Sequence, residues 1–278
     1  MRNRLRLMAV LAHPDDESLA MGGTLARYAD EGWETFLVTA TRGENGRHGL
    51  AKRWSPGALA RVREAELRAA CDVLGISEVS FLDYEDGALD RAWAAEAIDR
   101  IATHFERVRP DVVVTFGPEG AYGHPDHIAI SQFTSAAVVQ AARQHQVAKL
   151  YYIAWSRAKW DAYETALKKL VSRVDGVERQ ATPWPDWAVT TVLDTTRYWQ
   201  VAWRAVQCHA SQMSVYESLR SLPAQQHLAL WGRQEFYRAI SLVNGGRTVE
   251  NDLFEGLREN IDEATTHTGA TPPTARCA

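Results

Sequence analysis

Two short runs in this chain set imidazole beside carboxylate at a proline turn: Ala12-His13-Pro14-Asp15-Asp16-Glu17 and His124-Pro125-Asp126-His127, the second preceded by Gly120-Ala121-Tyr122-Gly123. Imidazole nitrogen and carboxylate oxygen suit zinc and similar divalent ions, and a hydrolytic metal site usually keeps three protein ligands and one position for water. Pro14 restricts His13 to extended or turn backbone and is itself suited to opening a helix, so one tight turn can present His13, Asp15 and Asp16 together. A carboxylate beside an activated water can accept its proton. One such turn is commonly structural; two in one chain, each after an apolar run, point to a metal site with hydrolytic chemistry.

The elements that must position these turns are legible as alternating patterns. Apolar runs with β-branched or aromatic residues recur at Leu5 to Ala12, Thr35 to Thr41, Val79 to Tyr84, Asp111 to Phe116 and Leu150 to Ala154. Helical periodicity falls between them, at Ser18 to Asp30, Ala58 to Leu74, Trp93 to Val108 and His127 to His145, with Gly32, Gly75 and Pro110 near the first three ends. This alternation predicts a Rossmann-like, doubly wound, mostly parallel α/β sheet of order 3-2-1-4-5. In that order the first and fourth strands adjoin at the switch point, where ligands bind beyond the carboxyl ends, so the two His-Pro-Asp turns should face each other. After residue 155 the pattern weakens. Expected there are a helix from Arg157 to Val171, a Pro- and Trp-rich segment around Trp184 to Trp187, a strand Val189 to Leu193, and helices from Tyr198 to Ser211 and Gln234 to Leu242. The domain expectation is one unit over residues 1–264, a core of about 5–155 with an elaboration over 156–264, and a disordered tail from Thr265 to Ala278.

Composition narrows the partners. With 278 residues and 46% hydrophobic content there is enough for one large core. A net charge of −4 with scattered Lys and Arg offers no footprint for nucleic acid. The start, MRNRLRLMAVLA, reads as a first strand rather than a signal peptide because its apolar run is short and meets His-Pro-Asp-Asp. No stretch approaches the roughly 18 apolar residues of a membrane span, so a soluble, cytoplasmic protein is expected. Cys71, Cys208 and Cys277 are too scattered for a disulfide framework or a metal knuckle.

The sequence resembles the LmbE-like/PIG-L deacetylases, zinc-dependent enzymes that remove acetyl from N-acetylglucosamine-containing compounds. The resemblance rests on AHPDDE at 12–17 and HPDH at 124–127. It continues in Gly22-Gly23-Thr24-Leu25, in Thr41-Arg42-Gly43-Glu44-Asn45-Gly46, in Arg63 to Glu66 followed by Leu74-Gly75, in Asp86-Gly87, and in His209-Ala210-Ser211-Gln212. It implies metal binding by His13, Asp16 and His127, with Asp15 as general base. It implies a second catalytic role for His124, which as a cation would stabilise an oxyanion or protonate the leaving amine. Asp126 would orient an imidazole, and Tyr122 would stand near the oxyanion. Arg63, Asp86 and Glu44 are the substrate-binding candidates, Asp86 equally readable as a turn former. The cofactor implied is Zn(II), with Fe(II) or Co(II) compatible with the same donors. The partner implied is a small N-acetyl amino-sugar substrate; relatives of this kind are often oligomers, so a homo-oligomer is an open expectation.

Other features are read as structural. His48 is a loop histidine; His104, His145, His227 and His267 lack partners at metal spacing and read as surface or cap residues; His209 is expected to bridge the C-terminal part to the core. Seven of the ten tryptophans follow residue 150, and Trp199 with Trp203 reads as a packed helix face before it reads as a sugar platform. Gly22-Gly23 is not a dinucleotide fingerprint. Two alternatives stay open: an amidase of a bulkier conjugate, including a thiol conjugate, using the same machinery, and a non-catalytic sugar-binding module.

Overall fold

A computed structural model describes residues 4–46, 54–167, 171–174, 176–246 and 248–258. His48, His267, Cys277 and the tail from Thr265 lie outside the described residues. In chain order the first half runs β1 Arg6–Leu11, α1 Asp16–Asp30, β2 Glu34–Thr41, α2 Pro56–Leu74, β3 Glu78–Tyr84, α3 Ala94–Val108, β4 Val112–Phe116, a single turn α4 Gly120–Gly123, α5 Pro125–Ala141 and β5 Lys149–Ile153. The second half runs α6 Arg157–Leu167, a hairpin of β6 Ser172–Val174 and β7 Val177–Arg179, β8 Thr191–Asp194, α7 Trp199–Cys208, α8 Glu217–Arg220, α9 Ala224–Trp231 and β9 Arg233–Ser241.

The main sheet has the order β3-β2-β1-β4-β5-β9-β8. Its first five strands are parallel and follow the expected 3-2-1-4-5 order. Leu7 to Leu11 and Val112 to Val114 are buried throughout, as strands covered on both faces must be, and this is why they read as unbroken apolar runs. On the flanks α1, α2 and α7 pack together, and α3 packs on α5. The helix ends follow local chemistry. The Ser55 hydroxyl accepts from the Ala58 amide at 3.3 Å to open α2 ahead of Pro56, and Gly75 closes it at φ 73.

One expected element is corrected. Gln234 to Leu242, read as a helix, is strand β9, paired antiparallel with β5 on one side and β8 on the other. The free edge of β5 supplies a hydrogen-bonding partner that outweighs local helical periodicity, and Phe236, Tyr237 and Ile240 are strand formers. The β6–β7 hairpin, α8 and α9 lie in the stretch that the sequence left undefined.

A second apolar cluster joins the elaboration to α1. Trp160, Tyr163, Val206, Leu230 and Trp231 are buried in it, and both the Trp231 indole and the Tyr163 hydroxyl donate to the Leu19 carbonyl, at 3.1 and 2.5 Å. Trp199 and Trp203 stack on His227, and Trp203 also stacks on Trp231. The aromatic-rich half is thus a core for α7 and α9. His227 is buried there rather than at the surface, and His145 is buried with Nε2 2.7 Å from the Pro110 carbonyl oxygen. The segment 248–258 is fastened by Glu250, whose carboxylate receives Lys149, Arg238, Tyr151 and Thr191 at 2.6–2.8 Å. Among the described residues no helix is long and apolar enough to cross a membrane.

Candidate metal centre and active site

Because β1 and β4 are neighbours, in register from Leu7 opposite Val112, the turns that follow them meet beyond the carboxyl edge of the sheet. The first turn is knotted by its own side chains. The Asp16 carboxylate folds back so that Oδ2 accepts the amides of Ala12 (3.2 Å) and His13 (2.8 Å), and Glu17 Oε2 accepts the Asp15 amide at 2.9 Å. Asp15, at the N-cap of α1, sits at φ 109, ψ −24. That is a strained conformation for a non-glycine residue, held by its surroundings. In the second turn Gly120 (φ 66), Ala121 (φ 60, ψ −84) and Gly123 (φ 90) swing the chain round to the N-terminus of α5. There His124 is the cap, its Nδ1 accepting from the Asp126 amide at 3.2 Å, with Pro125 in the first helical turn.

The ring nitrogens of His13 face two groups. On one side Nε2 lies 3.0 Å from Asp126 Oδ2 and 3.2 Å from Asp86 Oδ1. These carboxylates are themselves anchored, Asp126 by the amides of Gly87 and Leu89 and Asp86 by that of Asn45. With Nε2 donating to them, the lone pair of Nδ1 points the other way. There Nδ1 meets His127 Nε2 at 3.2 Å and Asp16 Oδ2 at 3.7 Å, while His127 Nε2 is 3.4 Å from Asp16 Oδ1. The His127 ring is stacked on Phe116, with centroids 3.9 Å apart and planes within 3°.

Donor groups from both turns could hold a metal ion: His13, His124 and His127 form one set and His13, Asp86 and Asp126 another, each with donor atoms within 4.8 Å of one another. Bonds of about 2.0–2.2 Å around a tetrahedral ion require ligand-to-ligand edges of ~3.3–3.6 Å. His13 Nδ1 and His127 Nε2 lie 3.2 Å apart, close to such an edge, and the Asp16 carboxylate faces both with different oxygens, Oδ2 3.7 Å from His13 Nδ1 and Oδ1 3.4 Å from His127 Nε2. The donor chemistry agrees, since two buried imidazole nitrogens 3.2 Å apart repel unless a proton or cation lies between them.

The electrostatics follow from burial and crowding. Burial draws His13 down, but Asp126, Asp86 and Asp16 more than offset it and hold the imidazole up at about 10. Burial, helped by the charges of Asp15 and Glu17, raises Asp16 to about 7 against the opposing pull of His13. Burial and the neighbouring imidazoles His124 and His13 keep His127 well below its usual value. Burial and His13 lower His124 to about 4. Its Nδ1 accepts a backbone hydrogen bond from Asp126, which leaves Nε2 as the ring position free to carry a proton.

Asp15 is held at its Oδ2, which receives Arg63 Nη2 at 2.9 Å and the Tyr216 hydroxyl at 2.8 Å. Arg63 is 3% exposed; its guanidinium also donates to the carbonyls of Pro14 and of Gly43, the latter at 2.9 Å. Gly43 is required there twice over, by its φ of 66 and because a Cβ would stand 2.1 Å from Arg63 Nη1. Glu44 Oε1 accepts the Asp86 amide at 2.9 Å, tying the loop after β2 to the loop after β3. The three residues expected to contact substrate all take part in building the site, Arg63 on Asp15, Asp86 on His13 and Glu44 on the Asp86 loop. Tyr122 stands edge-on to His127 and His124, with centroids 5.4 and 5.9 Å away.

Two contributors carried no readable role in sequence. Glu17 belongs to the first motif but gave no sign that it would hold the Asp15 amide. His209, fully buried, reaches Glu17 Oε1 with Nε2 at 2.8 Å, the expected bridge from the C-terminal part. Tyr216 gave no signal at all, since nothing in its neighbourhood marks it as a partner of a residue 201 positions away.

Fold and site together define a Rossmann-like α/β protein with a His/Asp group at its switch point that could hold a metal ion. The family model for GlcNAc-PI de-N-acetylase, PIG-L, matches residues 8–138. The chain is 36% identical to 1D-myo-inositol 2-acetamido-2-deoxy-alpha-D-glucopyranoside deacetylase of Mycobacteroides abscessus, over 91% of this chain and 98% of that one. It therefore belongs to the PIG-L family of de-N-acetylases. Solved structures with this fold include 4-carboxy-2-hydroxymuconate hydratase from Pseudomonas putida KT2440, at TM-score 0.63 and 20% identity over 87% of this chain and 99% of that one. They also include N,N'-diacetylchitobiose deacetylase from Pyrococcus horikoshii, at TM-score 0.61 and 18% identity over 84% and 83%. A hydratase and a deacetylase on one scaffold show that the fold is shared, while activity is a property of the site.

Proposed function

We propose that the chain is a zinc-dependent N-deacetylase of a small N-acetylglucosaminyl compound, in the first instance an N-acetylglucosaminide of inositol, with His13, Asp16 and His127 holding the ion. The observation that carries this reading is that His13 Nδ1 and His127 Nε2 face each other at 3.2 Å with the Asp16 carboxylate 3.4–3.7 Å from both, beside a carboxylate, Asp15, that none of them uses. The alternative set around His13 Nε2 is less suited, because it offers a single imidazole, with Asp86 and Asp126 both turned towards it. Their better use is to fix the tautomer of His13, as carboxylates do behind metal-bound histidines.

A divalent ion so held would supply Lewis acidity, lowering the pKa of a water from 15.7 towards ~7 and polarising the amide carbonyl. Asp15 takes the proton of the attacking water. His124, with a proton on Nε2, donates a hydrogen bond to the oxygen that gains negative charge as the carbonyl becomes tetrahedral. Asp15, now protonated, is the acid that returns the proton to the departing nitrogen, and acetate and a free amine leave. Tyr122 packs edge-on against both imidazoles and helps hold their orientation.

The test is release of free amine from N-acetylglucosamine, an N-acetylglucosaminyl inositol and a bulkier thiol conjugate, with zinc present and His127→Ala as the blank. Turnover of the inositol compound is expected. Turnover of the thiol conjugate alone would move the assignment to an amidase, and bound metal without turnover of any amide would leave a sugar-binding protein.

A further inference from the structure

Tyr216 caps the short helix α8 in the C-terminal elaboration, yet its hydroxyl reaches Asp15 in the first motif at 2.8 Å. A carboxylate can only accept, so Tyr216 is the donor. The Asp15 oxygen that receives it, Oδ2, is the one that also receives Arg63 at 2.9 Å, and among the described residues nothing donates to Oδ1. The stretch that carries Tyr216 is fastened to the first half independently of Asp15. His209 bonds Glu17 at 2.8 Å, and the amide and hydroxyl of Ser211 both bond the Glu66 carboxylate at 2.7 Å. The tyrosine is therefore delivered to the base from a rigid anchor.

We propose that Tyr216 is a positioning residue for the general base. With Arg63 it saturates Oδ2, pins the rotamer of a carboxylate on strained backbone, and leaves Oδ1 as the oxygen that accepts the proton. The inference rests on the reading of Asp15 as the base. Misplacing a catalytic group by about 1 Å costs on the order of 100-fold, and among the described residues the tyrosine hydroxyl is one of two side-chain donors to this oxygen.

The experiment compares wild type, Tyr216→Phe and Ser211→Ala, each loaded with zinc, for kcat and KM of amine release, zinc affinity and Tm. The phenylalanine keeps the ring and its packing. Tyr216→Phe is expected to lower kcat by about 10- to 100-fold, with KM and zinc affinity within twofold of wild type, while Ser211→Ala, which loses the hydroxyl bond but keeps the Ser211 amide on Glu66 and His209 on Glu17 as anchors, keeps wild-type kcat. An unchanged kcat in Tyr216→Phe overturns the inference, and so does a rise in KM alone, which would make Tyr216 a substrate contact. An equal loss in Ser211→Ala also overturns it, because anchoring of the segment would then be the cause. A wild-type protein that releases no amine from any probe overturns the deacetylase reading and this inference with it. An active wild type matched by Tyr216→Phe overturns this inference alone.

Discussion

Replacing Asp15 by Asn tests the base with the least change in shape. The amide oxygen can still accept from Arg63 and Tyr216 at the present 2.9 and 2.8 Å, and asparagine is among the residues best able to occupy positive φ, so the strained turn at φ 109 should persist. What is lost is an oxygen able to take a proton. General base catalysis contributes about 10²–10⁴ in rate, so kcat should fall by that factor, ~3–5 kcal/mol of barrier. Zinc content should be unchanged, because Asp15 touches none of the three donors through a measured bond. A second effect follows from burial. Arg63, 3% exposed, keeps its hydrogen bond but faces a neutral amide in place of a carboxylate, so part of the about 1.5–3 kcal/mol of a hydrogen bond to a charged group is lost. At 2–4 °C per kcal/mol the Tm should drop by at most about 12 °C. The assay is amine release at saturating substrate, with elemental analysis of the same sample and a melting curve. Undiminished turnover in Asp15→Asn would refute the mechanism; loss of zinc from the folded variant would refute the division between ligands and base.

His127→Ala and His13→Ala should each lose stoichiometric zinc by elemental analysis and show background turnover; full zinc in His127→Ala alone would move the centre to the Asp86 and Asp126 side of His13, and full zinc in His13→Ala would exclude His13 as a ligand. Asp126→Asn should bind zinc about 10- to 100-fold more weakly in a chelator competition, because Nε2 of His13 loses its 3.0 Å anionic partner; unchanged affinity would deny Asp126 any part in orienting His13. Acid stability should depend on Glu250. Although burial opposes it, Lys149, Tyr151, Asn244 and Thr191 hold this carboxyl down at about 2. A depressed carboxyl contributes stability that is complete above its unfolded value near 4.3 and is lost as pH falls towards 2. Melting curves from pH 7 to 2 should therefore fall more steeply below pH ~4.5 for wild type than for Glu250→Gln, which starts lower; parallel curves would exclude this group.

Much of the fold was legible because its first half is locally consistent. Buried parallel strands such as Leu7 to Leu11 show as continuous apolar runs, and Ser55, Pro56 and Gly75 announce where α2 begins and ends. The strand β9 was missed because its identity depends on a partner edge more than 80 residues earlier, at β5, and local periodicity cannot report that.

Sequence alone determined the donor set. His13, Asp15, Asp16, His124 and His127 stand at turns fixed by local chemistry, proline after histidine and a strand before each turn, and the strand order brings the two turns together. Tertiary structure decided what each group does. It set a carboxylate pair on one side of His13 and His127 with Asp16 on the other, tied His124 Nδ1 to the Asp126 amide, and buried Arg63 against Asp15. It also brought Tyr216 and His209 across from the far end of the chain. Residue type and local spacing encode which atoms are available; protonation state and orientation depend on neighbours that only the packed chain supplies.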